Sequence, residues 1–461
     1  MTARWTLGAL ASACNGQLVG DANTPIDCIW TDSRQDVHDG LFIALEGPRF
    51  DGHHHLADAQ QAGAVAALVR PGTNGPHGLN LIYATNPLDG LRQMAYWWRR
   101  QLTTTRVIAI TGTAGKTTTK DLLASVCSPS IRVCASPRSF NNAIGVPLTV
   151  LSARQDDQLL IAEVGINEVG EMAPLADLLQ PNAAIVTLIG TGHLEGLRDC
   201  NTVASEKYQL LEHVQPGGSA WVFQQTWPLP SVGISVETFG LDASADWTVE
   251  SWGPGWFQLN GQRWPLGLIG RTAALNATAV IAAARWANVP ETEIQQRLGS
   301  AKASPQRMQA RMIRGLNIID DTWNANPESM SASLETFAEL TAAGDRRAIL
   351  GDMLELGDDA ANCHLNLADQ MTLLHERGLL DQLILIGSHM EVLASVLADG
   401  PLGDCTDHYT QLDTQLARSI AAQFNHDDLV LIKGSRGLAL ERIIDAASSQ
   451  AELEQQSMEQ D

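Results

Sequence analysis

The stretch Val107-Ile108-Ala109-Ile110-Thr111-Gly112-Thr113-Ala114-Gly115-Lys116-Thr117-Thr118 decides the fold. Its first four residues form a short apolar run that reads as a buried strand. The run passes directly into a turn containing Gly112 and Gly115, and then into a helix-forming segment. Glycines at those places let successive backbone N–H groups converge on an anion. The start of the helix adds the positive end of its dipole. Lys116 supplies a mobile charge for β- and γ-phosphates, and the Thr117 hydroxyl suits Mg²⁺. The expected phosphate-binding residues are therefore Gly112, Thr113, Ala114, Gly115, Lys116, Thr117 and Thr118. The generic form of this loop carries a further upstream glycine, and this chain has none, with Thr111 at the end of the strand.

Outward from the loop, the pattern divides into three regions. Residues 1–85 read as a small α/β unit, with strands at Gly40–Gly47 and Ala64–Val69 and a helix from His54 to Gly63. Residues 86–304 open on a helix that Asn86 caps with Pro87 in its first turn. Strands there are expected at Leu159–Ala162 and Ala184–Leu188, and helices at Ser205–His213 and Ala274–Ala287. Between them, Trp221–Trp264 suggests an antiparallel flap. Residues 305–461 carry strands at Leu316–Ile319, Arg347–Leu350, Leu383–Ile386 and Leu429–Ile432, with helices between. The tail from Ser448 to Asp461 is expected to fray. Strands alternating with helices give an α/β class with mostly parallel sheets, and ligands at the carboxyl ends of the strands.

Bulk properties narrow the function. A chain of 461 residues exceeds one hydrophobic core, and its 44% hydrophobic content suits a soluble protein. Thirty Lys and Arg against 52 Asp and Glu give a net charge of −22, which argues against a nucleic-acid partner. The seven cysteines form no C-x-x-C pair, so neither a disulfide framework nor a cysteine zinc site is indicated. Met1–Leu10 lacks the pattern of a signal peptide, and no long apolar run suggests membrane insertion. An intracellular protein is expected.

Three further residues invite a chemical reading. Glu163 ends an apolar strand, where an ionised carboxylate is costly unless something positive meets it. Solvent or a Mg²⁺ opposite the loop would each answer that cost. His193 ends the next strand segment in the same way. Lys207 lies on a helix, where a lone lysine is ordinarily solvated.

Taken in order, T-G-T-A-G-K-T-T (Thr111–Thr118), N-N-A-I-G-V-P (Asn141–Pro147), E-V-G-I-N (Glu163–Asn167), H-L-E-G (His193–Gly196) and E-K (Glu206-Lys207) resemble the Mur ligases. S-P-Q-R (Ser304–Arg307), D-D-T-W-N-A-N-P (Asp320–Pro327), G-D-M-L-E-L-G (Gly351–Gly357) and K-G-S-R (Lys433–Arg436) extend the likeness. So do T-D-S-R (Thr31–Arg34) and F-I-A-L-E-G-P-R-F-D-G (Phe42–Gly52). The resemblance implies three domains: an N-terminal one for the UDP end of the substrate, a central ATPase domain and a C-terminal Rossmann-like domain. It also implies an ATP-dependent amide ligase working through an acyl phosphate, in cytoplasmic peptidoglycan precursor synthesis.

The form of D-D-x-x-N-A-N-P, and the absence of a D-N-P-R/K motif, favour the branch joining D-alanyl-D-alanine to UDP-N-acetylmuramoyl-tripeptide. A MurE-like or folylpolyglutamate synthase-like ligase is the alternative, and a P-loop nucleotide-binding protein without ligase activity is a second. By resemblance, Lys116, Lys207, His193 and Arg307 are catalytic, and Thr117, Glu163, His193 and Lys207 (as a CO₂-derived carbamate) serve Mg²⁺. Asn276, Arg307 and Asn324 join the loop in binding ATP. Thr31, Ser33 and Arg34 lie near the UDP moiety, and a monomer is expected. Two departures stand out: Thr272-Ala273 replaces a common His-Asn, and Trp323 replaces a common Tyr.

Overall fold

The computed structural model describes residues 4–458 apart from Arg49 and His193, with side chains to residue 449. Three α/β units follow one another, each built on its own sheet. The first has five strands, in the order Gln17–Val19, Asn80–Tyr83, Ala64–Val69, Gly40–Ile43 and Cys28–Trp30, parallel except for the Gln17–Val19 edge. Its edge strands are only three residues long, too short for a periodic signal in the sequence.

The central sheet has nine strands. Its parallel part runs Val133–Ala135, Leu159–Glu163, Arg106–Thr111, Ala183–Val186, Ser219–Phe223, Ser235–Gly240 and Trp247–Gly253. Side chains alternate between its two faces. Val107 and Ala109 enter one core with helices Pro87–Arg99 and Cys200–Glu212. Ile108 and Ile110 enter the other, with helices Lys116–Cys127 and Arg271–Trp286. The expected flap across Trp221–Trp264 is corrected in part. Ser219–Phe223 and Ser235–Gly240 extend the parallel sheet, because Ala220, Trp221 and Val222 are buried. Only Trp247–Gly253, Trp256–Leu259 and Gln262–Pro265 form an antiparallel meander.

The third sheet follows the order Gln309–Ile313, Leu316–Asp321, Leu429–Lys433, Arg346–Gly351, Gln382–Ile386 and Thr406–Tyr409. Only the Gln309–Ile313 edge is antiparallel. Ile319, Leu350, Leu385 and Leu431 pack on one face, and Ile318, Ile349, Ile384 and Ile432 on the other. The expected frayed tail is also corrected: the backbone stays helical over Glu441–Met458. Ala, Glu, Leu and Gln dominate that stretch, and all are good helix formers. Residues 459–461 of the tail lie outside the described part. Among the described residues, no helix is long and apolar enough to cross a membrane.

Helix Pro87–Arg99 joins the first unit to the second. The Asn86 side chain accepts from Leu88 and Asp89 N–H, and Pro87 needs no partner in the first turn. Leu91, Met94, Ala95 and Trp98 recur at helical spacing and are buried. Trp98 meets Trp5 edge-on at 5.1 Å and donates to the Ala153 carbonyl at 2.8 Å. Strands of the first sheet, including Ile43, Leu68 and Ile82, share this core with the central domain. Replacing Asn86 with Ala should therefore lower stability by about 1 kcal/mol, and Asn86→Asp should restore it. Urea unfolding followed by tryptophan fluorescence reads this directly, and an unchanged midpoint in Asn86→Ala would contradict the cap's role.

Candidate active site

The phosphate loop leaves strand Arg106–Thr111 and enters helix Lys116–Cys127 through a left-handed Gly115, φ +88°. A Cβ there would come within 2.7 Å of the Asn276 side-chain oxygen. At Gly112, φ +144°, a Cβ would sit 1.9 Å from the Thr187 hydroxyl. That hydroxyl donates to the Ala114 carbonyl at 2.6 Å, and Thr113 N–H donates to Leu188 O at 2.6 Å. The segment after strand Ala183–Val186 thus braces the loop from below. Lys116 Nζ folds back over the loop and donates to the Gly112 and Thr113 carbonyls at 2.8 and 3.3 Å. Its pKa is lowered, first by burial and further by Arg307, against an opposing pull from Glu163.

Sheet register delivers Glu163 to the same place, because Ile110 pairs with Glu163 across parallel strands. The carboxylate is 1% exposed. It accepts from the Thr117 hydroxyl at 2.9 Å and from the Asn141 amide at 2.8 Å. Its own N–H donates to Ser136 Oγ at 3.0 Å. Of the two sequence readings, solvent exposure is therefore excluded for Glu163. Lys120, a buried cation one turn beyond Lys116, donates to the carbonyls of Ser136 and Arg138 at 2.8 and 2.6 Å. It holds the segment that holds Glu163.

Lys207 departs from the ordinary fate of a helical lysine. It is fully buried, and its Nζ has no hydrogen-bond partner among the described residues. Burial pushes its pKa well below the normal value, and the nearby Lys116 charge pushes it the same way. His193 lies outside the described residues, although Gly192 beside it packs on Thr113.

A cleft of about 730 Å³ opens over the loop between the second and third units. Arg307 enters it from the hinge, with Nη2 donating to Ser139 Oγ at 3.1 Å, and burial lowers its pKa. Asn276 and Asn324 line the cleft, as do Thr272 and Ala273. The guanidiniums of Arg307 and Arg436 lie over the Trp323 ring, 5.2 and 5.3 Å from its centroid. The indole keeps the aromatic surface there. Thr31, Ser33 and Arg34 are not brought to this cleft. They sit on a loop of the first unit, where Arg34 chelates Asp32 at 2.7 and 2.8 Å and holds its pKa down to about 2.

Several residues the sequence reading left without a role join the site. Lys433 is buried and donates to Asp321 at 2.6 Å and to the Asn324 carbonyl at 2.9 Å. Register pairs Asp321 with Lys433, so D-D-T-W-N and K-G-S-R meet at one sheet end. Asn141 and Ser139 complete the shell around Glu163 and Arg307. The motif order pointed to Asn141, Asp321 and Lys433, but only the fold shows what they hold.

Residues 110–284 match the Mur ligase middle domain, and residues 306–436 match the Mur ligase, glutamate ligase domain. A UDP-N-acetylmuramoyl-tripeptide–D-alanyl-D-alanine ligase of Bacillus subtilis (strain 168) is 31% identical over 435 residues, covering 91% of this chain and 93% of its own length. One of the same name from Escherichia coli (strain K12) is 29% identical, covering 96% and 98%. A crystal structure of MurF from Acinetobacter baumannii superposes with a TM-score of 0.84 at 27% identity, over 96% of this chain and 99% of that one. With its phosphate loop, its buried Glu163 and its three α/β units in the same order, the chain belongs to the Mur ligase family.

Proposed function

We propose that this chain joins D-alanyl-D-alanine to UDP-N-acetylmuramoyl-tripeptide, with ATP converted to ADP and phosphate. One observation carries the reading. The phosphate loop and the buried Glu163 carboxylate line a cleft bordered by the C-terminal unit, and the partnerless Lys207 lies buried near Lys116. The identity of two full-length relatives, given above, supports the choice of substrates. The domain limits 1–85, 86–304 and 305–461 belong to the same proposal, as do action in the cytoplasm and a monomeric state.

A carboxylate is a poor electrophile, and phosphorylation gives it a leaving group. Lys116 and the loop N–H groups hold the ATP phosphates, with Asn276 and Asn324 toward adenine and ribose. The tripeptide carboxylate takes the γ-phosphoryl group, and the amine of D-alanyl-D-alanine then attacks the acyl carbon and expels phosphate. Arg307 steadies the charge that builds on the transferring oxygens. Thr31, Ser33 and Arg34 meet the UDP end of the precursor in the first unit.

The residues present fit Mg²⁺. Thr117 and Glu163 offer two hard oxygens 2.9 Å apart at the helix start, and Mg²⁺ commonly takes one or two carboxylates plus phosphates. Among the described residues no group of three or more His, Cys, Asp and Glu forms a metal cage. When bound, the ion would neutralise phosphate charge and polarise the transferring group. His193 is proposed to share in metal binding.

Lys207 fits a carbamate for a related reason. A buried ammonium without a partner is costly, and a neutral amine is the form that adds CO₂. With one proton released, the product would be an anionic carbamate, which would be attracted by Lys116 and could serve a metal held by Thr117 and Glu163.

Two tests follow. Phosphate release from ATP with UDP-muramoyl-tripeptide, ending in diaminopimelate or lysine, should rise at least about tenfold on adding D-alanyl-D-alanine. Stimulation by free diaminopimelate or glutamate instead would move the chain to another branch. Lys207→Ala should lose most activity, on the order of a hundredfold, and short carboxylic acids should restore part of it. Undiminished rates without added acid would refute the carbamate.

A further inference from the structure

Glu328 is the second residue of helix Pro327–Glu339, and the Asn326 capping box fixes the turn that presents it. Its Oε1 accepts from Thr191 N–H at 2.6 Å and from the Thr191 hydroxyl at 2.8 Å. These bonds cross from the C-terminal unit to the loop that follows strand Ala183–Val186. The same loop is bonded on its other side to the phosphate loop. Gly190 N–H donates to Thr113 Oγ1 at 3.0 Å, and Thr113 N–H donates to Leu188 O at 2.6 Å.

The fit leaves no slack. A Cβ on Gly190 would sit 2.2 Å from the Glu328 carboxyl carbon, and one on Gly192 would sit 2.5 Å from Thr113 Cγ2. A carboxylate that receives both an N–H and an O–H makes charge-assisted bonds, stronger than neutral ones. Glu328 Oε2 is buried with no hydrogen-bond partner among the described residues. The two bonds at Oε1 therefore offset the cost of taking the carboxylate out of water. Removing them would favour a separated C-terminal unit, in which Glu328 regains solvent.

We infer that Glu328 is a positioning residue for the ligase reaction. Its docking on Thr191 couples closure of the C-terminal unit to the placement of Thr113 and of residues 188–192. Residues 188–192 are thereby set when the third unit is seated. Glu328 acts through Thr191 and Thr113, by the bonds described above. The inference rests on the ligase reading for its kinetic test and on the loop contacts alone for its structural one.

The test uses the full chain as wild type, Glu328→Ala, Glu328→Gln, Thr191→Val and the double variant Glu328→Ala/Thr191→Val. Glu328→Ala should lower kcat/KM for D-alanyl-D-alanine by about tenfold or more. Glu328→Gln keeps an acceptor oxygen and should recover most of the loss. Thr191→Val should lose less, and the double variant should be no worse than Glu328→Ala, since both changes remove one interaction. Amide hydrogen exchange over residues 188–192 should quicken in Glu328→Ala whatever the activity. Unchanged exchange, or a double variant showing the product of the two single losses, would overturn the inference. A wild-type chain that ignores D-alanyl-D-alanine would instead overturn the ligase reading, with the exchange result still deciding the latch.

Discussion

A carboxylate held out of water beside a phosphate loop is the constraint on which the rest of the site depends. Glu163 is stable there because Thr117, Asn141 and a parallel register each contribute. Left without them, a buried carboxylate would cost several kcal/mol or become protonated. The support reaches further, because Ser136 receives the Glu163 N–H and Lys120 holds the Ser136 carbonyl. One buried cation on helix Lys116–Cys127 thus orders the segment that delivers Asn141 and Ser139. Ser139 in turn receives Arg307 from the hinge.

The positive charges obey the same economy. Lys116 and Lys207 both lie where burial disfavours the ammonium, and the Lys116 charge lowers the Lys207 pKa further. Under the proposed function, an anion arriving over the loop would answer Lys116, and a carbamate would convert Lys207 from a liability into a ligand. The third unit adds its own buried pair, Lys433 with Asp321, at the end of the sheet facing the cleft. Ser304 on the hinge donates to Asp121 at 2.6 Å, so the hinge is tied to the very helix that begins at the phosphate loop. Closure and nucleotide binding share elements by construction.

Much of this was legible in the sequence, for identifiable reasons. Strands such as Val107–Ile110 and Leu429–Ile432 are buried on both faces, and continuous apolar runs announce them. The loop glycines and Lys116 declare themselves by spacing. Other parts were hidden. Edge strands Gln17–Val19 and Thr406–Tyr409 are only three and four residues long, so periodicity gave no signal. Ser219–Phe223 resembled flap because its aromatics suggested a meander, yet its burial makes it a sheet interior. Lys207 looked like any solvated lysine, and only packing reveals a buried amine without a partner. Glu328 was invisible for the same reason, since its partner Thr191 lies 137 positions away.

The central claim is that this cleft activates a carboxylate by phosphorylation before the amine attacks. Isotope transfer measures that step most directly. With both oxygens of the reacting tripeptide carboxylate labelled as ¹⁸O, one label should appear in the inorganic phosphate for each amide formed, and one should remain in the product carbonyl. Phosphate free of label, with amide still formed, would contradict an acyl phosphate and with it the role assigned to Lys116, Glu163 and Arg307.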